Sequence, residues 1–177
     1  PPVVEDGATF AANAEKKARA AAMALGVPAL ADDSGLCVDA LGGRPGVFSA
    51  RFAGEGATDA DNIAKLLGEL RRIPPDRLDA LSENAPEVPA GARPLGPAAF
   101  VCALALCDPR TDSLRTAEGR CGGWIIDTPR GDGGFGYDPV FFLPEFGRTM
   151  AELTVAEKNA ISHRSRALDA LLSLFLR

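Results

Sequence analysis

Three groups of residues in this 177-residue chain carry chemistry by type and spacing. The first is Asp32-Asp33-Ser34-Gly35, two adjacent carboxylates after the apolar run 27–31. Adjacent carboxylates repel, which favours protonation of one unless a cation intervenes. Mg²⁺ suits them, because it takes oxygen ligands and keeps sites open for a phosphate-bearing substrate. Glu5 is a further acidic ligand candidate. A second reading stays open, since Asp and Ser also end strands by bonding local backbone N–H groups in a turn.

The second group is "PRGDGGFGYDP" (129–139), with four glycines within residues 131–136 interrupted by Phe135 and followed by Tyr137. Glycine admits close backbone approach. Successive N–H groups can meet an anion, and a ring beside them can stack on a planar base. A flexible loop is the plain alternative, and no GK[ST] follows to make a phosphate loop. The third group is "EKNAISHRSRA" (157–167), where Lys158, His163, Arg164 and Arg166 gather positive charge on a chain of formal net charge −5. Placed near a helix start, where cations are disfavoured, they supply donors for phosphate or a carbonyl oxygen. Lys17 lies four residues after Asn13, on the same helix face.

The elements that must position these groups follow from periodicity. Thr9 caps a helix through about Leu25, with an apolar stripe of Phe10, Ala14, Ala18, Ala21 and Leu25, and Gly26 stops it. Residues 27–31 read as a short buried strand that ends at the aspartates, and 36–41 as another extended piece. Thr58 with Asp61 opens a second helix with Ile63, Leu66, Leu67 and Leu70 as its apolar face. Residues 73–97 hold six prolines and read as a surface connection within one domain. Residues 98–107 and 121–127 read as strands paired antiparallel, and 140–143 as a short apolar strand. Thr154 with Glu157 caps the terminal helix. Helices and strands alternate first and strands cluster later, which predicts an α/β fold with a mixed central sheet and flanking helices.

Composition limits the function. Hydrophobic residues make up 46% and charged residues 24%, ordinary values for a globular domain. The acidic balance argues against sequence-independent nucleic-acid binding. Cys37, Cys102, Cys107 and Cys121 show no CxxC spacing, and His163 is the single histidine, so a zinc site is not expected. Without a signal peptide or an 18-residue apolar run, the expected setting is cytoplasmic, with no membrane partner.

With these residues assembled, the chain resembles the inosine/xanthosine triphosphate pyrophosphatase family. The likeness runs through "TFAANAEKKA", "ALADDSGLCVDALGGRPGVFSARFAG", "ATDADNIAKLL", "GGFGYDPVFF" and "AELTVAEKNAISHRSRAL", nearly everything outside the proline-rich stretch. The resemblance implies Mg²⁺-dependent hydrolysis of dITP, ITP and XTP to the monophosphate and pyrophosphate. It implies Asp33 as proton acceptor and metal ligand, and Glu5 as a second metal ligand. Lys17, Ser34, Phe135, Gly136, Tyr137, Asp138, Lys158, His163 and Arg164 become substrate contacts. It further implies an elongated α/β domain of two lobes around a cleft, assembled as a homodimer. The family opens with a strand and a Ser/Thr-x-Asn-x-x-Lys loop, so a segment supplying them is expected ahead of Pro1. Two alternatives remain: a nucleotide-binding protein without catalysis, and a related pyrophosphatase for other modified nucleotides.

Overall fold

The structure is a computed structural model that describes residues 3–81 and 83–176. Pro1 and Pro2 of the opening stretch, Ser82 of the proline-rich stretch and Arg177 lie outside the described residues. The helices are α1 (Phe10–Leu25), α2 (Asp59–Leu70), α3 (Pro75–Leu81), α4 (Val155–Ile161) and α5 (His163–Ser173). The strands are β1 (Ala29–Val38), β2 (Pro94–Asp108), β3 (Ser113–Ile126), β4 (Phe141–Leu143) and β5 (Arg148–Thr149). They form one open sheet in the order β1-β2-β3-β4-β5.

The β3–β4 and β4–β5 ladders run antiparallel, with Trp124 opposite Phe142 and Phe142 opposite Thr149. β2 and β3 follow one another through residues 109–112, a connection short enough for an antiparallel hairpin and too short for a parallel crossover. A mixed sheet was expected from the alternating elements; the β3–β4 and β4–β5 ladders are antiparallel.

The chain divides into two compact units, and the divisions fall within β1, after Gly35, within β2 and β3, and at the end of α4, after Ala160. The first unit comprises Pro1–Gly35, Phe100–Cys121 and Ile161–Arg177; the second comprises Leu36–Ala99 and Gly122–Ala160. In the first unit, α1 starts because the Thr9 hydroxyl accepts from the Ala12 N–H at 3.1 Å, and stops at Gly26 in the left-handed region (φ 68°). Its buried face is Phe10, Asn13, Ala14, Ala18 and Ala22. Ala22 is buried where Ala21 was expected, Ala21 is half-buried, and Leu25 in the last turn is exposed. Helix α5 packs Ala167 and Leu171 against Cys102 and Leu104 of β2. Cys102, Cys107 and Cys121 are buried and Cys37 is half-buried.

The second unit buries Leu36, Val38, Ile63, Leu66, Leu70, Ile125, Phe141 and Phe142. Asn62 of α2 pins the short helical turn Gly46–Arg51 and its exit, accepting from the Ala53 N–H at 2.7 Å and donating to the Ala50 carbonyl at 3.2 Å.

Three helical starts use the same device, a threonine and an acid three residues on. Thr58 pairs with Asp61, Thr149 with Glu152 and Thr154 with Glu157. Hydrogen bonds from the Thr58 side chain and the Thr149 backbone N–H hold Asp61 and Glu152 below the usual carboxylate range. Glu157 is held down to about 2, chiefly by Arg148 and then by Thr154. A carboxylate depressed by folding stabilises above its unfolded pKa, and that contribution is lost as pH falls toward the folded value. Glu157→Gln should therefore melt below the parent at pH 6. The gap should narrow between pH about 4.5 and about 2 in thermal melts. A gap that stays constant over that range contradicts the assignment.

Candidate active site

The carboxylates do not stand at a strand end. β1 runs without a break from Ala29 to Val38, through Asp32, Asp33, Ser34 and Gly35, which were expected to form a turn between two separate strands. The reason is alternation: successive side chains leave a strand on opposite faces, so the two charges point apart and each finds its own cation. Asp33 turns toward α1. Lys17 Nζ donates to its Oδ1 at 3.3 Å and Asn13 Nδ2 to its Oδ2 at 3.0 Å. Asp32 turns the other way, toward α5, where its Oδ2 lies 3.4 Å from Arg164 Nε and accepts from the Ser34 hydroxyl at 3.3 Å. The repulsion inferred from adjacency in sequence is thus avoided by geometry.

Glu5 joins the Asp33 side. Its Oε2 lies 3.2 Å from the same Lys17 ammonium. Residues 13, 16 and 17 share one face of α1 and grip three consecutive residues of the preceding segment: Asn13 Oδ1 accepts from the Gly7 N–H at 2.8 Å, Lys16 pairs with Asp6, and Lys17 pairs with Glu5. One helix face therefore sets both Glu5 and Asp33. The Asp33 side chain is 12% exposed, and that of Lys17 23%, so the group is sheltered without being sealed. Among the described residues no cluster of three His, Cys, Asp or Glu side chains is arranged to hold a metal. Glu5 and Asp33 supply two hard oxygen donors around one ammonium. Such a set suits Mg²⁺, which binds through one or two carboxylates and takes substrate phosphates and waters for the rest.

His163 and Arg164 open α5, a new helix rather than the continuation of α4, because the Ser162 hydroxyl caps it by accepting from the Ser165 N–H at 3.2 Å. The His163 ring is buried and stacks on Phe100, with ring centroids 5.1 Å apart. Its Nε2 lies 3.4 Å from Arg164 Nη1. In that contact the guanidinium can only donate. The Ser34 hydroxyl donates to Asp32 Oδ2. Burial pushes the Cys102 thiol up, against the lowering effect of the Ser34 hydrogen bond, which removes it as a nucleophile.

In the second unit, Asp138 is the centre of the glycine-rich loop. Its Oδ2 accepts from Lys158 Nζ at 2.5 Å and from the Phe135 N–H at 3.1 Å, and the residue is 5% exposed. Gly134 has φ +80°, and a Cβ there would collide with the Asp138 carboxylate and come within 2.7 Å of Lys158 Nζ. Only glycine lets the backbone lie over this ion pair. The two rings separate: Phe135 is exposed with Lys158 Nζ 5.5 Å from its centroid, whereas Tyr137 is buried and donates to the Ser49 carbonyl at 2.9 Å. Burial pushes the Tyr137 hydroxyl well above its usual range. Tyr137 thus anchors the loop, and Phe135 alone presents a ring face. The Gly136 N–H donates to Asp59 Oδ2 at 2.6 Å.

In the first unit, Glu5 and Lys17 gather with Asp33 on one face of β1, and Ser34, His163 and Arg164 lie with Asp32 on the other; Phe135, Gly136, Tyr137, Asp138 and Lys158 gather in the second unit, and Arg166 joins neither group, donating to the Arg120 carbonyl at 2.8 Å. Reading the sequence missed Asn13 as a partner of Asp33, although an asparagine on an otherwise apolar helix stripe was a usable signal. Nothing local marked Asp59 or Ser49 as loop anchors.

The Ham1 family model matches residues 1–174. Over 171 residues the chain is 53% identical to a dITP/XTP pyrophosphatase of Geobacillus kaustophilus, covering 97% of this chain and 74% of that protein. It is 52% identical over 171 residues to the protein of the same name from Geobacter sulfurreducens, covering 97% and 76%. Among solved structures, the Staphylococcus aureus Ham1 protein superposes with a TM-score of 0.81 at 40% identity, covering 99% of this chain and 80% of that one.

Proposed function

This chain belongs to the Ham1 family, and from that premise we propose that it hydrolyses the deaminated purine nucleoside triphosphates dITP, ITP and XTP to the monophosphate and pyrophosphate. The names of its relatives support the substrate class, and their identity of about half over nearly the whole chain supports a shared chemistry. The observation that carries the reading is the Asp33 carboxylate, fixed by Asn13 and Lys17 beside Glu5.

Glu5 and Asp33 would hold Mg²⁺. When bound, the cation supplies positive charge that offsets the polyphosphate. Asp33 takes the proton of the attacking water as general base. Lys17 balances the two carboxylates and, with substrate present, the charge developing on phosphate oxygens. Taken by itself, the glycine-rich loop of the second unit presents the exposed Phe135 ring as a stacking face, with Lys158 beside it. Arg164, with His163 beside it, supplies donors for the 6-oxygen of hypoxanthine or xanthine. Adenine carries an amino group there, which would leave a donor unmade at about 1–3 kcal/mol. The same reading extends to a cytoplasmic homodimer, which light scattering tests directly.

Pyrophosphate release is the assay for the substrate class. With Mg²⁺, dITP and XTP should turn over about 5–150-fold more efficiently than ATP, the ratio that one unmade hydrogen bond gives. Equal kcat/KM for dITP, ATP and GTP overturns the proposed selectivity. Binding of dITP without release of pyrophosphate points to a non-catalytic nucleotide binder.

A further inference from the structure

We propose that Asn13 is a positioning residue that sets the separation and direction of the Glu5 and Asp33 carboxylates for a divalent cation, a role that rests on the metal reading above. The side chain is 1% exposed and its two ends do different work. Nδ2 donates to Asp33 Oδ2 at 3.0 Å, and Oδ1 accepts from the Gly7 N–H at 2.8 Å. The partners fix the orientation of the amide: a backbone N–H can only meet the oxygen, and a carboxylate can only meet the NH₂ group. Asn13 is therefore a bracket between the strand that carries Asp33 and the segment that carries Glu5, two residues before Gly7. Lys17, which touches both carboxylates, is a flexible point charge and neutralises them without fixing their angle. The rigid amide does the aiming: with Oδ2 taken by Asn13, Oδ1 is the oxygen turned toward Lys17 and Glu5.

Gly7 belongs to the same device. A Cβ at this position would lie 2.5 Å from Asn13 Oδ1 and 3.0 Å from Ala12 Cβ. Asn13 is buried and held at both ends, so the segment bearing Glu5 would have to move instead. Hydrogen-bond partners of metal-ligating carboxylates typically govern metal affinity by about 10–100-fold.

The test measures Mn²⁺ binding by electron paramagnetic resonance on the full chain, with and without a non-hydrolysable dITP analogue, for the parent, Asn13→Leu, Gly7→Ala and Asp33→Asn. Leucine keeps the branching of asparagine at Cγ, with a larger volume, and removes both hydrogen bonds. Alanine at position 7 displaces only the Glu5 segment and leaves the Asn13–Asp33 bond in place. The inference expects Mn²⁺ affinity to fall about 10–100-fold in both the Asn13 and Gly7 variants. It further expects Gly7→Ala to melt close to the parent and to recover kcat at high metal. Parent-like Mn²⁺ affinity in Gly7→Ala and Asn13→Leu, with Asp33→Asn still weak, overturns the role of Asn13 and leaves the metal reading standing. Equal Mn²⁺ affinity in the parent and Asp33→Asn overturns the metal reading, and the role of Asn13 with it.

Discussion

Asp33→Asn should lower kcat for dITP by roughly 10²–10⁴-fold, the span a positioned general base contributes. The fold should survive, because asparagine keeps the shape and its side-chain oxygen can still accept from Asn13 Nδ2. Lys17 also keeps Glu5 as a partner. The informative comparison is with the adjacent residue. Asp32 leaves β1 on the opposite face and meets Arg164 and Ser34. Asp32→Asn should therefore act through KM, by loosening Arg164, and leave kcat within a few-fold of the parent. Steady-state kinetics and a circular dichroism melt on both variants decide the matter. Near-parent kcat in Asp33→Asn removes that residue from the chemistry. A parallel collapse of kcat in Asp32→Asn contradicts the division of the two carboxylates between the faces of the strand.

The second large effect is on stability. Asp138→Ala strips the carboxylate from an ion pair whose side chains are 7% and 20% exposed, leaving Lys158 half-sheltered and without that anion. Breaking a buried pair from one side costs about 3–5 kcal/mol, mostly from the charge left behind. For a chain of this size that corresponds to a Tm drop of about 6–20 °C. The lost acceptor of the Phe135 N–H adds to it. If the stranded charge dominates, Asp138→Ala with Lys158→Met should melt higher than Asp138→Ala alone, although it removes one more side chain. A Tm within about 2 °C of the parent, or a double variant lower than the single, shows that the pair does not hold the loop. Gly134→Ala should act in the same direction, since a Cβ there pushes into the same carboxylate.

The sequence alone determined the helices that have a local start and stop. Thr9 with Ala12, Gly26 with Ala22, Thr58 with Asp61 and Thr154 with Glu157 are contacts within a few residues, so their bonds could be named from spacing. It also marked the residue types of both constellations, because Asp-Asp-Ser-Gly, a glycine-aromatic loop and a basic cluster on an acidic chain stand out without any coordinates. Only the tertiary structure decided what those residues do for one another. Ser34-Gly35 looked like a turn; β1 carries on through it because Asp32 and Asp33 each meet a cation brought by a different helix, Arg164 from α5 and Lys17 from α1. Tyr137 and Phe135 looked equivalent; one is buried against the Ser49 carbonyl, 88 residues away in sequence, and the other is exposed. The β5 strand, two residues long, has no periodicity to read and exists because it pairs with β4. Local hydrogen bonds and patterning are short-range and leave a record in the sequence. The partner of a charge or a ring is chosen by folding distant segments together, and no spacing in the chain encodes it.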